Sequence, residues 1–287
     1  MKVLVVGALG QLGSELCAQF ADTTLHRADL DSPEHPLDLR EPEAVHGLIA
    51  ELRPELVFNC AAAHHLPTCE EQPAHAFAVN ATGARTLAIA CHKAGARLIH
   101  VSTDYVFGGG ADRPHVETDL PAPLSVYGAS KLAGEHLIAA ECPDHVIVRT
   151  AAMYGAAECR AKGGRNFVTL MLHLAETRPE VRVVTDEITT PTYTRPLAQQ
   201  MRLLAEKAPP GLYHATCGGE CSWFEFAKAI FELTRREVNL RPTTSAEFQS
   251  PVKRPHYSVL ENRRAAAIGL DTMPHWREAL QEYLFAP

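Results

Sequence analysis

The opening of the chain restricts its architecture more than any other segment. Lys2–Val6 is a short apolar run, Gly7-Ala8-Leu9-Gly10-Gln11-Leu12-Gly13 follows it, and Gln11–Phe20 carries a helical pattern. A buried strand that passes through closely spaced glycines into a helix begins a βαβ unit, which calls for a parallel sheet with crossover helices. The glycines have separate tasks. Gly7 permits the tight turn, Gly10 lets a pyrophosphate approach the backbone, and Gly13 lets the helix pack against the strand. The first turn of that helix offers free N–H groups and the positive end of its dipole to phosphate.

The first two thirds of the chain keep this rhythm. Leu56–Asn59 reads as a strand after Pro54, Phe77–Ala94 as a long helix, Arg97–Ser102 as a strand, Val126–Ala140 as a helix and His145–Thr150 as a strand. Arg160–Asn166, with Gly163 and Gly164, reads as a ligand-facing loop. Val181–Val184 and Gly211–Ala215 read as late strands, separated by proline-rich punctuation. The expected fold is α/β, a Rossmann-type doubly wound parallel sheet with a smaller substrate-binding lobe. Residues 1–149 are assigned to the dinucleotide-binding domain, with segments about 181–215 returning to it; 150–180 and 216–287 make the lobe.

Composition removes other classes. With 46% hydrophobic residues the 287-residue chain can bury a substantial core. Its net charge of −7 argues against nucleic acid or an anionic membrane as main partner. The N-terminus has no basic segment before a long apolar run, and no stretch approaches the roughly 18 apolar residues of a membrane span, so a cytoplasmic protein is expected. The eight cysteines are scattered without a Cys-x-x-Cys pair and are expected as free thiols. None of the 15 histidines falls in a metal-ligand motif, so no metal is expected.

A second pattern concerns chemistry. In Tyr127-Gly128-Ala129-Ser130-Lys131 a phenol and an ammonium are spaced i, i+4, which on a helix places them on one face. A fixed cation favours the phenolate and would draw the phenol's pKa of about 10 toward the range useful for proton transfer. Ser102-Thr103 closes the strand upstream, and in open α/β sheets ligands sit at the carboxyl ends of strands. A hydroxyl there can hold a substrate oxygen for the phenol. The predicted catalytic residues are Thr103, Tyr127 and Lys131, and together with the glycine loop they point to an oxidoreductase.

The nicotinamide cofactor is left open between NADPH and NADH. Arg27 and Asp29 lie near the end of the second strand and pull in opposite directions, the arginine suiting a 2′-phosphate and the acid a ribose hydroxyl. Asp38 can accept from an adenine amine or simply start a helix.

These motifs resemble the extended short-chain dehydrogenase/reductases, and within them the dTDP-4-dehydrorhamnose reductase family. Matching stretches run nearly end to end. They include Gly10-Gln11-Leu12-Gly13, Asn59-Cys60-Ala61-Ala62, Ser102-Thr103-Asp104-Tyr105-Val106-Phe107, the segment around Tyr127 and Lys131, Asn166-Phe167, and Asp186-Glu187 leading to Pro191-Thr192. The resemblance implies reduction of the 4-keto group of dTDP-4-dehydro-L-rhamnose to dTDP-L-rhamnose, with Tyr127 as proton donor. It implies cofactor contacts at Gly7, Gly10, Gln11, Leu12, Asp38, Leu39, Ala61, Ala62, Tyr127 and Lys131. For the nucleotide-sugar substrate it implies Asp104, Tyr105, Phe107, Arg149 and Asn166. A homodimer is compatible with it. Related dehydratases carry Asp-Glu after the threonine; here Asp104 is followed by Tyr105, so reduction is favoured over elimination.

Three departures fall where substrate is expected. The aromatic usual after the Arg-Thr pair is Ala152, the usual Val-Asp is Leu66-Pro67, and the usual Asp-Gln is Asp186-Glu187. They put the sugar in question and leave the chemistry intact. The rival readings are a reductase of another nucleotide-linked 4-keto-6-deoxy sugar, or a non-catalytic partner resembling the regulatory subunit of methionine adenosyltransferase.

Overall fold

The computed structural model describes residues 1–160, 163–248 and 250–285. Its centre is a parallel sheet that fixes where ligands can sit. In chain order the first half comprises β1 (Lys2–Val6), α1 (Gln11–Gln19), β2 (Thr24–Asp29), β3 (His35–Pro36), α2 (Pro42–Leu52), β4 (Leu56–Asn59), α3 (Leu66–Glu71), α4 (Pro73–Phe77), a π-helical turn (Ala78–Gly83) and α5 (Ala84–Ala94). Then come β5 (Arg97–Thr103), a 3₁₀ turn (Asp104–Val106), α6 (Val126–Glu141) and β6 (His145–Thr150). The second half comprises β7 (Met153–Tyr154), α7 (Phe167–Thr177), β8 (Val181–Val184), β9 (Ile188–Thr189), β10 (Thr192–Tyr193), α8 (Thr194–Lys207) and β11 (Gly211–His214). It closes with β12 (Cys221–Ser222), α9 (Trp223–Leu233), β13 (Leu240–Thr243), α10 (Ser245–Phe248), α11 (Arg263–Ala267) and α12 (Trp276–Phe285).

Seven parallel strands lie in the order β11-β6-β5-β4-β1-β2-β3. The fold is the expected α/β doubly wound sheet. Its strands are buried on both faces, which is why they read as unbroken apolar runs; Val3, Leu4 and Val5 have no exposed surface. One face packs on α1 and α8 through Leu16, Phe20, Leu197 and Met201, and the other on α2, α5 and α6 through Ile49, Leu87 and Ile138. Strand order reverses between β1 and β4, so the crevice at their carboxyl ends is where a ligand is expected.

The lobe has its own core of Tyr154, Val168, Tyr193, Phe226, Ile230 and Trp276. Within segments about 181–215, β11 pairs with β6 in the main sheet and α8 covers its face. β8 pairs instead with β13, in a separate two-stranded sheet of the lobe. The helix expected over Phe77–Ala94 starts at Pro73 as α4 and passes through the π turn before α5. Asn80 in that turn explains its importance to the site: its amide bonds Ala63 N and O and the Ser130 hydroxyl at 2.9–3.0 Å, tying α6 to the loop after β4. Ala161 and Lys162, within the expected 160–166 loop, lie outside the described residues.

No helix among the described residues is long and apolar enough to cross a membrane.

Candidate active site

A single cleft of about 540 Å³ runs from the carboxyl ends of β1, β2 and β4 to the lobe. Its glycine corner is built tightly. Gly7 sits at φ +80° with its missing Cβ 2.7 Å from Ala61 N, and a Cβ on Gly13 would lie 2.0 Å from the Gly7 carbonyl oxygen. A side chain at either position would close the cradle, as a diphosphate-binding turn requires. The residues present therefore fit a dinucleotide. Gly7, Gly10, Gln11, Leu12, Asp38, Leu39, Ala61, Ala62, Tyr127 and Lys131 all line the cleft.

At its adenosine end, Asp29 closes β2 and accepts from Leu9 N at 3.2 Å. Arg160, reaching over from the loop after β7, donates to the other oxygen of Asp29 at 2.9 Å and also to Asp31. Arg27, the cation singled out beside Asp29, pairs instead with Glu34 at 3.6 Å. Asp38 is held by Arg40 at 2.5 Å, and this pairing keeps its carboxyl below the usual range.

The middle of the cleft carries the hydroxyl and phenol. Ser125 caps α6 by accepting from Gly128 N, so the helix begins where Tyr127 faces the end of β5. The Thr103 hydroxyl donates to Asp104 Oδ1 at 3.1 Å and accepts from Tyr105 N at 3.1 Å. Asp104 also accepts from Ser258 Oγ at 2.6 Å. Burial pushes the Asp104 carboxyl up to about 6 against those hydrogen bonds. The rings of Tyr105 and Tyr127 meet edge to face at 6.0 Å.

Electrostatics around Tyr127 differ from the expectation that Lys131 lowers its pKa. Burial raises the Tyr127 phenol above its usual range, and the hydrogen bond with Thr103 is what opposes it. Lys131 is turned inward: Nζ donates to Val101 O at 2.6 Å and lies 3.0 Å from His100 Nε2. Burial, first among the causes, brings the Lys131 ammonium down to about 8. Burial thus favours the protonated phenol.

Two of the residues expected at the substrate do not reach the cleft. Phe107 is 1% exposed and stacks on His115 at 4.0 Å, behind the 3₁₀ turn that aims Tyr105 inward. Arg149 is 3% exposed and gives both Nε and Nη2 to Glu135 at 2.8 and 2.6 Å, with its guanidinium over the Phe107 ring. It anchors β6 to α6 beneath the site. Asn166 lines the cleft, yet its amide is engaged: it caps α7 through Thr169 N and donates to Gly155 O and Tyr283.

The lobe side contributes residues that sequence reasoning did not place in the site. Trp223 and Phe167, with ring centroids 4.6 Å apart, line the cleft together with Met153 and Ser258, and Glu187, already expected near substrate, joins them. Glu187 is buried, which raises its carboxyl above the usual range, and pairs with Arg254 at 3.7 Å. Ala152 and Leu66, the departures from the family pattern, also lie on the wall. Ala152 holds a left-handed φ of +42°.

The family model described as the RmlD substrate binding domain matches residues 1–286. The spore coat polysaccharide biosynthesis protein SpsK of Bacillus subtilis is 41% identical, over 99% of this chain and 96% of that protein. The dTDP-4-dehydrorhamnose reductase of Streptomyces griseus is 42% identical, over 97% of this chain and 91% of that protein. Among solved structures, dTDP-4-dehydrorhamnose reductase from Bacillus anthracis in complex with NADP superposes with a TM-score of 0.93 at 35% identity, covering 100% of this chain and 99% of that one.

Proposed function

The chain belongs to the RmlD substrate-binding-domain family, and from that premise we propose that it reduces the 4-keto group of dTDP-4-dehydro-L-rhamnose to give dTDP-L-rhamnose. The observation that carries this reading is the convergence of Thr103, Tyr127 and Lys131 on one cleft with the glycine cradle. The relative solved with NADP supports NADPH as a cofactor, and the Arg160–Asp29 pair is compatible with NADH as well. Held beside Tyr127 and Lys131 in the cleft, a reduced nicotinamide would supply the hydride for the carbonyl carbon.

The protein's own residues do the rest. Tyr127 keeps its proton until a keto oxygen arrives, because burial disfavours the phenolate. Developing negative charge on that oxygen reverses the preference, and the phenol gives up its proton. Thr103 orients the oxygen by releasing its hydroxyl from Asp104. Lys131 would hold the ribose hydroxyls of the dinucleotide and stabilise the tyrosinate left behind. Trp223 and Phe167 exclude water over the sugar, in place of the aromatic absent at Ala152.

Turnover of NADPH with dTDP-4-dehydro-L-rhamnose tests the reading. Tyr127→Phe is expected to lower kcat by roughly 10²–10⁴ while dinucleotide binding survives. An unchanged kcat in that variant would remove Tyr127 from the role. Turnover only with a different dTDP-linked 4-keto sugar would trace to the altered wall at Ala152 and Leu66.

A further inference from the structure

We propose that Asn59 and His100 together set the protonation state of Lys131, favouring the neutral amine above about pH 8 and letting it take up a proton when a dinucleotide binds. The proposal rests on the dinucleotide-binding reading of the cleft. It makes Asn59 and His100 positioning residues that act through Lys131.

The three side chains form one buried chain of polar atoms. Asn59 closes β4, His100 sits opposite it in register on β5, and Lys131 comes from α6; they are 1%, 0% and 2% exposed. Ala61 N donates to Asn59 Oδ1 at 3.2 Å, which fixes the way the amide faces. Its Nδ2 is then 3.1 Å from His100 Nδ1. An amide NH₂ only donates, so Nδ1 is the acceptor and carries no proton. Burial holds the imidazole neutral, since the His100 pKa lies well below its usual value. Its single proton is therefore on Nε2, 3.0 Å from Lys131 Nζ.

An ammonium has donors only, and two donors cannot share a hydrogen bond. Nζ must present a lone pair to Nε2–H while it donates to Val101 O. That is the neutral amine. Burial of the ammonium acts in the same direction. The alternative arrangement turns the Asn59 amide over, sets its NH₂ against Ala61 N–H, and leaves that N–H without its acceptor.

The groups around Lys131 do not restore the charge. Glu135, one turn on along α6, favours the ammonium, but its carboxylate is already taken by Arg149 and by Ser102 Oγ at 2.5 Å. Cys60 is a partly buried thiol whose pKa desolvation raises, so it stays neutral. Tyr127, one turn back, is a protonated phenol, and Asp104 is bound by Thr103 and Ser258. A dinucleotide brings the negative charge of a diphosphate and hydroxyl acceptors into the cleft, and so favours the ammonium. The balance is one proton from solvent. The His100 Nε2 proton passes to Nζ, a solvent proton is taken at Nδ1, and the Asn59 amide turns to accept from it.

The test is histidine tautomer together with proton uptake, both measured on the full chain. In ¹⁵N-histidine protein at about pH 9, the signal lost in His100→Asn is expected to show the Nε2–H tautomer and to switch to Nδ1–H when NADPH is added. An Nδ1–H tautomer before any ligand overturns the proposal. Calorimetry of NADPH binding above pH 8, in buffers of different ionisation heat, is expected to show uptake of about one proton by the wild type. Lys131→Met is expected to bind with none. Asn59→Asp is expected to abolish uptake too, because its carboxylate accepts from both Nδ1–H and Ala61 N–H and so leaves Lys131 charged beforehand. NADPH that binds without proton uptake overturns the proposal and leaves the reductase reading standing. A wild-type chain that binds no dinucleotide overturns both.

Discussion

Arg160 and Asp29 join the lobe to the nucleotide-binding sheet, the guanidinium donating to the carboxylate at 2.9 Å across the adenosine end of the cleft. Asp29 alone would accept from a ribose 2′-hydroxyl and repel a 2′-phosphate. Arg160 changes that balance, because it can neutralise the carboxylate or turn to a phosphate.

Arg160→Ala is therefore expected to weaken NADPH more than NADH. Loss of one hydrogen bond to a charged group is worth about 1.5–3 kcal/mol, or roughly 10- to 150-fold in the NADPH dissociation constant. NADH affinity should fall less, since Asp29 then meets its hydroxyl unopposed. Fluorescence titration with each dinucleotide checks this, and equal losses for both would show that Arg160 does not discriminate between them.

Trp223 supplies the prediction for the sugar end. Its ring lines the cleft beside Phe167. Trp223→Ala should raise KM for the nucleotide sugar roughly 5- to 30-fold, from about 1–2 kcal/mol of lost aromatic contact, with kcat little changed. Steady-state kinetics separate the two constants. A fall in kcat with unchanged KM would place Trp223 at the chemistry instead of at sugar binding.

Much of this site was legible because its parts are local. A buried parallel strand announces itself as an apolar run, so β1, β4, β5 and β6 stand out, and the glycine turn and the Tyr127–Lys131 spacing are each complete within a few residues. The parts that were not legible depend on distant partners. Arg149 looks like a ligand at a strand end until Glu135 on α6 claims it. Phe107 shares a motif with Tyr105, yet the intervening turn sends the two rings to opposite sides. Val181–Val184 has the residues of a central strand, but a strand does not name its partner, which is Leu240–Thr243. Arg160 and Trp223 reach the cleft only once the lobe folds against the sheet.

The Glu135–Arg149 pair predicts stability. Both side chains are nearly fully buried. Arg149→Ala leaves Glu135 charged, buried and deprived of its partner, and is expected to cost about 3–5 kcal/mol in urea unfolding. The double variant Glu135→Gln with Arg149→Met should recover much of that loss, since no charge is then stranded. A double variant as unstable as the single one would mean that the pair contributes through packing on Phe107, where Arg149 also lies.

Asp104 predicts how stability changes with pH. Its carboxyl is pushed up to about 6 in the folded chain from 3.8, chiefly by burial. Above pH 6 both folded and unfolded forms carry the charge, and the folded one bears the cost of burying it. Between about 6 and 3.8 the folded chain binds the proton first, so this group's contribution becomes more favourable as pH falls. Two pKa units correspond to about 3 kcal/mol. Asp104→Asn has no carboxyl to titrate. Relative to wild type it should therefore gain about 3 kcal/mol more at pH 7 than near pH 4, measured by urea unfolding at both. A difference between the two proteins that does not change with pH would show that Asp104 titrates like an ordinary exposed carboxyl, with the bonds from Thr103 and Ser258 offsetting its burial.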